Sequence, residues 1–431
     1  MSGPEQRRRP LLHEPGFRSF FLAHTVSQFG DRISELAFPL LAVLLLDATA
    51  AQVSVLTALV WLPNLAGILL GTWVDRQPNK RRLLVAADLI RAALLATVPI
   101  AFAFDAGTLV QLYAVALLTG AASVLFNTTY PAFFVLLVDR SGYLAANSAL
   151  SASRSVSFIA GPALGGVLVQ ALTAPIAIGV DAVSFLLSAL GVGRARLVRA
   201  GGTGDAATGR LWQRAREGIR FTLGHPVLRA GLGCAATVNY FSFIFNALLV
   251  LFASRTLDLP AGLLGLALGG GAAGGLLGAV AAPRLSARIG VGRCIVLGAV
   301  VFPASIVLVA VAGGPLWARV ALVAGAEFLS GVGVMLFDVN LNALNATVIP
   351  DSLRSRVSGA YSTINYGVRP LGALTGGALG SWLGLRPTVW IAAIGGTLCV
   401  LWLLPSPIPR VRSLDQLDEG RRAGSLAPAG R

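Results

Sequence analysis

Residues 161 to 166 read Gly161-Pro162-Ala163-Leu164-Gly165-Gly166, and residues 372 to 377 read Gly372-Ala373-Leu374-Thr375-Gly376-Gly377. The two stretches lie 211 positions apart, and the same offset relates Gly120 and Phe126 to Gly331 and Phe337. One constant register across two apolar runs and the loop between them marks a duplicated chain. Each stretch sits in an apolar run of about twenty residues, enough to cross ~30 Å of hydrocarbon as a helix. Such runs recur from Phe17 to Leu404. Of the 431 residues, 55% are hydrophobic and only 12% charged, against about 25% charged in an ordinary soluble domain. Barrel strands would alternate in much shorter segments. The pattern predicts an all-α membrane protein with twelve transmembrane helices in two pseudo-symmetric six-helix bundles.

The predicted helices lie near residues 18–46, 53–73, 83–104, 108–130, 151–170 and 174–193, then 228–252, 262–282, 293–313, 316–341, 357–382 and 387–404. An even number of spans puts both termini on one side. The division is an N-terminal bundle with its tail over 1–193, a linker over 194–227, a C-terminal bundle over 228–405 and a disordered tail over 406–431. The linker holds seven arginines (Arg194, Arg196, Arg199, Arg210, Arg214, Arg216 and Arg220). From Leu211 onward its apolar residues gather on one side of a helical wheel, which fits either an interfacial helix or a solvated connector.

The net charge of +15 raises the question of nucleic acid, and the distribution of basic residues answers it. Arg32, Arg91 and Arg369 lie inside helices, and Arg255, Arg319 and Arg386 in odd-numbered connections. The other 28 of the 34 fall in the tails and even-numbered connections or at the helix ends that adjoin them. That is a positive-inside asymmetry. It orients the termini to the cytoplasm of a cell membrane and leaves no reason to invoke nucleic acid. Residues 1–16 lead into a full spanning helix rather than a short apolar core with a cleavage site, so no signal peptide is expected.

Cys234, Cys294 and Cys399 lie singly in apolar runs, as small core residues do. Neither a metal cluster, a nucleophile with its base, nor a phosphate-binding loop stands out, so the chain is read as a non-enzyme without cofactor or metal.

Ionisable residues at mid-depth in a membrane are costly and mark function by default. In the first helix His24, Gln28, Asp31 and Glu35 follow steps of four, three and four, which gathers them within about 60° on the wheel. In the tenth, Glu327, Asp338 and Asn345 share nearly one line, with Asn342 adjacent. Asn239 and Asn246 align in the seventh, and Asn127 lies near Tyr130 and Phe134 along the fourth. The charges of the third and sixth helices read as lying toward their ends. Helices one, four, seven and ten should therefore line a polar path, with Phe126, Tyr130, Phe241, Phe243 and Phe337 as apolar wall. A mid-depth acid exists either charged and paired or protonated and neutral. Asp31 and Glu327 are accordingly candidates for proton coupling, with Arg32 and Arg369 as alternative ion-pair partners.

After the second helix the sequence runs Gly71-Thr-Trp-Val-Asp75-Arg76-Gln-Pro-Asn-Lys80-Arg81-Arg82-Leu83. This resembles the motif between helices 2 and 3 of the major facilitator superfamily through Gly71, Asp75, Arg76, Lys80 and Leu83. It departs from that pattern at Pro78, where the family has Gly, and at Asn79, where it has Arg. The resemblance implies a gating loop whose ion pairs form and break as two bundles rock. Gly161-Pro162-Ala-Leu-Gly165-Gly166 looks like the helix-5 motif of the superfamily's exporters, in which small residues allow close helix approach and Pro permits a bend. Gly372, Gly376 and Gly377 repeat it.

Ser27-Gln28-Phe29-Gly30-Asp31-Arg32, Ala87-Asp88-Leu-Ile-Arg91-Ala92, Leu144-Ala-Ala146-Asn147-Ser-Ala149-Leu150 and Asp181-Ala-Val-Ser-Phe185 narrow the resemblance. They are similar to the branch containing enterobactin exporters and macrolide efflux proteins. Many drug-proton antiporters carry an Arg in helix 4, and residues 108–130 contain none. The resemblance implies a monomeric secondary transporter that exports a small, largely hydrophobic molecule by proton antiport, with an uptake symporter or uniporter of the same fold as the alternative.

Overall fold

A computed structural model of the chain describes residues 14–139, 142–195, 197, 211–350 and 353–413. Among the described residues every regular element is helical. The N-terminal half comprises α1 (Pro15–Leu45), α2 (Ala50–Trp61, resumed as Gly67–Asp75), α3 (Lys80–Ala103), α4 (Leu109–Leu137), α5 (Tyr143–Leu172) and α6 (Ala174–Arg194). A connecting helix (Leu211–Gly224) leads to α7 (Pro226–Arg255) and α8 (Ala261–Ile289). The rest are α9 (Val291–Ala304, resumed as Ile306–Ala310), α10 (Leu316–Val348), α11 (Arg354–Trp382) and α12 (Leu385–Thr397).

All twelve predicted spans are present. Among the described residues, nine of them are long and apolar enough to cross a bilayer by composition alone, and α1, α2 and α11 are not among these. Each exception has a physical reason. α1 carries the polar stripe, α11 carries Arg354, Arg356 and Arg369, and α2 is interrupted by a tighter turn over Leu62–Ala66 containing Pro63. Polar groups and broken backbone survive at membrane depth only where protein or a water-filled cavity surrounds them.

The 211-residue register holds in three dimensions. Gly120 lets α4 approach the carbonyl of Val60 on α2, and Gly331 lets α10 approach that of Gly271 on α8. Gly165 of α5 abuts the backbone of Ile33 on α1, and Gly376 of α11 abuts that of Ile244 on α7. Gly166 faces Ala261 and Gly265 of α8, while Gly377 faces Ala51 and Ser54 of α2. Partners as well as glycines are related by the offset, or lie within one residue of it, so the duplication extends to helix pairing. The same glycines thus build each bundle on one side and join the two bundles on the other.

The glycine approaches between the halves lie from mid-membrane to the side away from the termini: Gly262, Gly265 and Gly269 of α8 against α5, and Gly367, Gly377 and Gly380 of α11 against α2. On that far side Gly262 N–H donates to Gln170 Oε1 at 2.9 Å, and Arg255 reaches Asp47 at 3.6 Å. On the side of the termini the connecting helix docks on α11, with Arg356 bonded to Glu217 at 2.5 Å. Its Ile219 and Leu223 remain exposed.

The tail expected to be disordered from residue 406 is packed over its first eight residues. Ile408 and Val411 are buried, and the N–H groups of Val291 and Gly292 donate to Arg412 and Val411 at 3.2 and 2.9 Å. Two apolar side chains and the missing Cβ of Gly292, which would otherwise meet the Ile408 carbonyl, account for the correction. Residues 414–431 lie outside the described residues.

Candidate functional site

The three motifs of helices 1, 3 and 6 meet in the N-terminal half. Asp181 of α6 is buried against α1, accepting from Ser34 Oγ and, at 2.9 Å, from Ser184 Oγ. Gly30 makes this possible, because a Cβ there would collide with Asp181 and Ser184. On α3, Asp88 and Arg91 form a buried ion pair one turn apart. The Arg91 guanidinium lies over the rings of Phe185 at 3.9 Å and Phe126 at 4.8 Å, and within electrostatic reach of Asp31, Asp181 and His24. The charges of the third and sixth helices are therefore interior rather than terminal. Three carboxylates, Asp31, Asp88 and Asp181, share one buried arginine.

Asp31 lies half-way along α1 and is nonetheless accessible. Glu35, one turn on, is accessible too and bonds Arg32 at 2.5 Å. Lipid contact would be prohibitive for these groups, so the face they occupy borders an aqueous cavity. Gln28 is half-buried on the same face. His24 departs from it. Its ring stacks with Phe20 and Tyr130 at 5.5 Å and with Phe126 at 5.9 Å, and its Nδ1 is buried without a hydrogen-bond partner among the described residues.

Across from α1, Arg369 of α11 donates from Nε to Asn239 Oδ1 at 3.1 Å. Its guanidinium sits 4.4 Å from the Trp61 ring, 4.6 Å from Tyr366 and 5.0 Å from Phe243. It lies within electrostatic reach of Asp338 and Glu35. The expected alternative, an Arg369–Glu327 ion pair, is not formed, because Arg369 faces α7 and α2 while Glu327 faces a pocket between α7, α9 and α10. Trp61 belongs to the N-terminal half, so Arg369 bridges the halves. On the other side of the pseudo-twofold, Arg32 lies 4.3 Å over Phe158. Arg32 and Phe243 are separated by 211 positions, as are Phe158 and Arg369. One cation–π contact thus occurs twice with the partners exchanged between helices.

Asn127, Asn246, Asp338 and Asn342 are accessible, and Asn345 is half-buried. Asn345, Asn342 and Tyr361 line a cavity of about 270 Å³ between the terminal-side ends of α10 and α11. Of the five predicted wall aromatics, Phe243 joins the Arg369 cluster. Tyr130 stacks with His24, and Phe126 and Phe337 are buried in the cores of their halves. Phe241 packs on Gly395 of α12.

In the α2–α3 turn, Lys80 Nζ donates to the Val74 carbonyl at 2.6 Å. Gly71 packs on Thr128 of α4, and Arg76 is exposed. Asn79 caps α3, its side chain accepting from Arg82 N at 3.1 Å, which gives the departure from the family pattern a local role. The side chain of Asp75 lies outside what is described.

Sequence reading missed Trp61, Tyr366, Asp181 and the burial of Asp88–Arg91 as parts of these clusters. The Asp181–Ser184 step of three, which packs on Gly30, and the Asp88–Arg91 step of three were the available signal.

A model described as Major Facilitator Superfamily matches residues 20–372 and 232–428. The "Multidrug efflux pump Tap" of Mycobacterium tuberculosis (strain ATCC 25618 / H37Rv) is 29% identical over 423 residues, covering 95% of this chain and 98% of that one. Among solved structures, nucleoside transporter NupG superposes with a TM-score of 0.74 at 11% identity, covering 90% of this chain and 98% of that one. A bacterial homologue of the iron transporter ferroportin superposes in its inward-facing state at 0.72, with 19% identity, over 90% of this chain and 98% of that one. Its outward-facing state gives 0.55, with 18% identity and the same coverage. At these identities the structures speak to the fold alone.

Proposed function

The chain belongs to the major facilitator superfamily, and from that premise we propose that it exports a small, largely apolar molecule from the cell by alternating access coupled to proton antiport. It is a multi-pass membrane transporter of small-molecule substrates. Export is supported by the multidrug efflux pumps to which it is similar over nearly its full length.

The observation that carries the reading is the cluster between the halves. Arg369 is held by Asn239 and by Trp61, Phe243 and Tyr366, with Asp338 and Glu35 nearby. A site at the interface of two repeats is where rocking motion alternates access. Rings offer apolar contact, and the carboxylates Glu35 and Asp338 balance the arginines Arg32 and Arg369. That balance favours a neutral amphiphile. Proton coupling falls to Asp31, which adjoins the buried Asp88, Asp181 and Arg91. Three acids facing one arginine leave an excess of two negative charges, one of which a bound proton removes. Glu327 is the second candidate.

The far side is closed by glycine approaches between the halves, which supports an inward-open state with the termini in the cytoplasm, the side that the basic asymmetry favours. The two halves, 1–193 and 228–405, act as the rocking units, joined by the 194–227 linker, and one monomer contains the whole path.

Inverted membrane vesicles test this directly. With an interior-acid gradient, vesicles carrying the protein are expected to accumulate compounds from a panel of fluorescent amphiphiles and to release them on adding a protonophore. No gradient-dependent accumulation of any compound would contradict the proposal, and accumulation only under the opposite gradient would indicate an uptake symporter.

A further inference from the structure

Between α7, α9 and α10 lies a pocket separate from the Arg369 cluster. Its polar lining is Ser242 and Asn246 of α7, Ser305 of α9, and Glu327 and Ser330 of α10, closed by the rings of Phe245 and Phe302. Its volume is about 40 Å³, room for roughly three waters and far below the ~300 Å³ at which pockets for organic ligands begin. Size excludes the exported molecule.

The chemistry is that of a cation site. Glu327 lies well inside α10 and has no ion-pair partner among the described residues. The charged groups of the surrounding helices are elsewhere. Arg229 and Arg255 lie near the ends of α7, Arg284 and Arg288 near one end of α8, and Arg293 in the first turn of α9. Arg319, in the first turn of α10, bonds the Leu257 carbonyl and lies 3.6 Å from Asp258. Asp338 is eleven residues along. α8 offers only Gly271, where a Cβ would stand 3.2 Å from Glu327 Oε2. A carboxylate so placed is either protonated or balanced by a cation beside it.

The remaining groups supply oxygen. Ser242 is 4% exposed, and its Oγ is buried without a hydrogen-bond partner among the described residues. Asn246 donates its amide nitrogen to the Ser242 carbonyl at 2.9 Å, which leaves Oδ1 for a ligand. α9 breaks at Ser305, just after Pro303, and Ser305 Oγ donates to the Phe302 carbonyl at 2.8 Å while keeping its lone pairs. Broken helices whose freed oxygens hold small cations are a recurring device in transporters. Oxygen ligands select hard cations, and a single carboxylate balances one positive charge.

We infer that this pocket binds a sodium ion, coordinated by Glu327 with oxygens from Ser242, Asn246, Ser305 and Ser330. The inference extends the proposed ion-coupled export by giving the C-terminal half its own cation. The duplication frames the division: Asp31 and Glu35 of α1 stand 211 positions before Ser242 and Asn246. The half that keeps its acids on the first helix handles the proton, and the other places neutral oxygens there and draws its charge from α10. A proton on Glu327 removes that charge, so acid competes with sodium.

Binding is read without substrate or transport, which separates failure here from failure of the export reading. The purified full-length protein in detergent is melted, following tryptophan fluorescence, in sodium chloride or choline chloride at equal ionic strength, in alkaline and acidic buffer. Sodium is expected to raise the melting temperature with the logarithm of its concentration, more strongly in alkaline buffer. Glu327→Gln should abolish the shift, and Ser242→Ala should move its midpoint at least tenfold higher in sodium. Equal melting in sodium and choline at both pH values would overturn the inference, as would a sodium shift unchanged in Glu327→Gln. Should Glu327→Gln fail to fold, an unchanged midpoint in Ser242→Ala is the overturning result.

Discussion

Replacing Arg369 with alanine is expected to lower kcat/KM for export by roughly a hundredfold or more while the protein still inserts and folds. The side chain supplies a desolvated cation–π contact worth about 2 kcal/mol and a charged hydrogen bond worth about 1.5–3 kcal/mol. At about 1.4 kcal/mol per factor of ten, losing most of this gives the stated range. The loss also removes a cation that acts on both Asp338 and Glu35. Arg369→Lys should recover only part of the activity, because an ammonium keeps the charge but cannot present a flat face to Trp61 and Tyr366 together with an Nε donor to Asn239. Initial rates in the vesicle assay check this, and an Arg369→Ala rate within twofold of the parent would remove Arg369 from the site.

The second large effect is at Asp31. Asparagine matches its shape and can still hydrogen-bond, but it neither carries charge nor takes up a proton. Asp31→Asn is expected to reduce gradient-driven accumulation by at least tenfold while leaving exchange of labelled for unlabelled substrate across the membrane largely intact. The reason is spatial. Asp31 adjoins the buried Asp88, Arg91 and Asp181, whereas the aromatic contacts that would hold the substrate come from α2, α7 and α11. Undiminished gradient-driven transport in Asp31→Asn would end its coupling role, and equal loss of exchange would make it a substrate ligand instead.

The duplicated architecture was legible because it rests on positions where nothing but glycine fits. Gly120 over Val60 and Gly331 over Gly271 are backbone approaches, so the sequence keeps the same residue at the same offset. Helical periodicity likewise placed Gln28, Asp31 and Glu35 on one face. Periodicity within a helix does not say what stands opposite, however. Glu327 and Arg369 matched in depth yet face different helices. Asp181 meets Ser34 across 147 positions, a pairing no local spacing encodes. Trp61 lies in the middle of the second predicted helix, 53–73, where spacing alone does not set it apart from its apolar neighbours; the Leu62–Ala66 turn follows it, and α2 then continues to Asp75. The packing of Ile408 and Val411 was hidden by the Pro- and Arg-rich composition around them.

Alternation of the two halves about the Arg369 cluster is tested most directly by distances between spin labels on opposite faces of the membrane. One pair, at Arg82 and Ala287, reports the side of the termini, and a second, at Ala106 and Trp317, reports the far side. All four positions are exposed. The account predicts that changing from alkaline to acidic buffer, with a compound accumulated by the vesicles present, shortens the first distance and lengthens the second in the same molecules. Distances that stay fixed, or that change in the same direction on both faces, would contradict it.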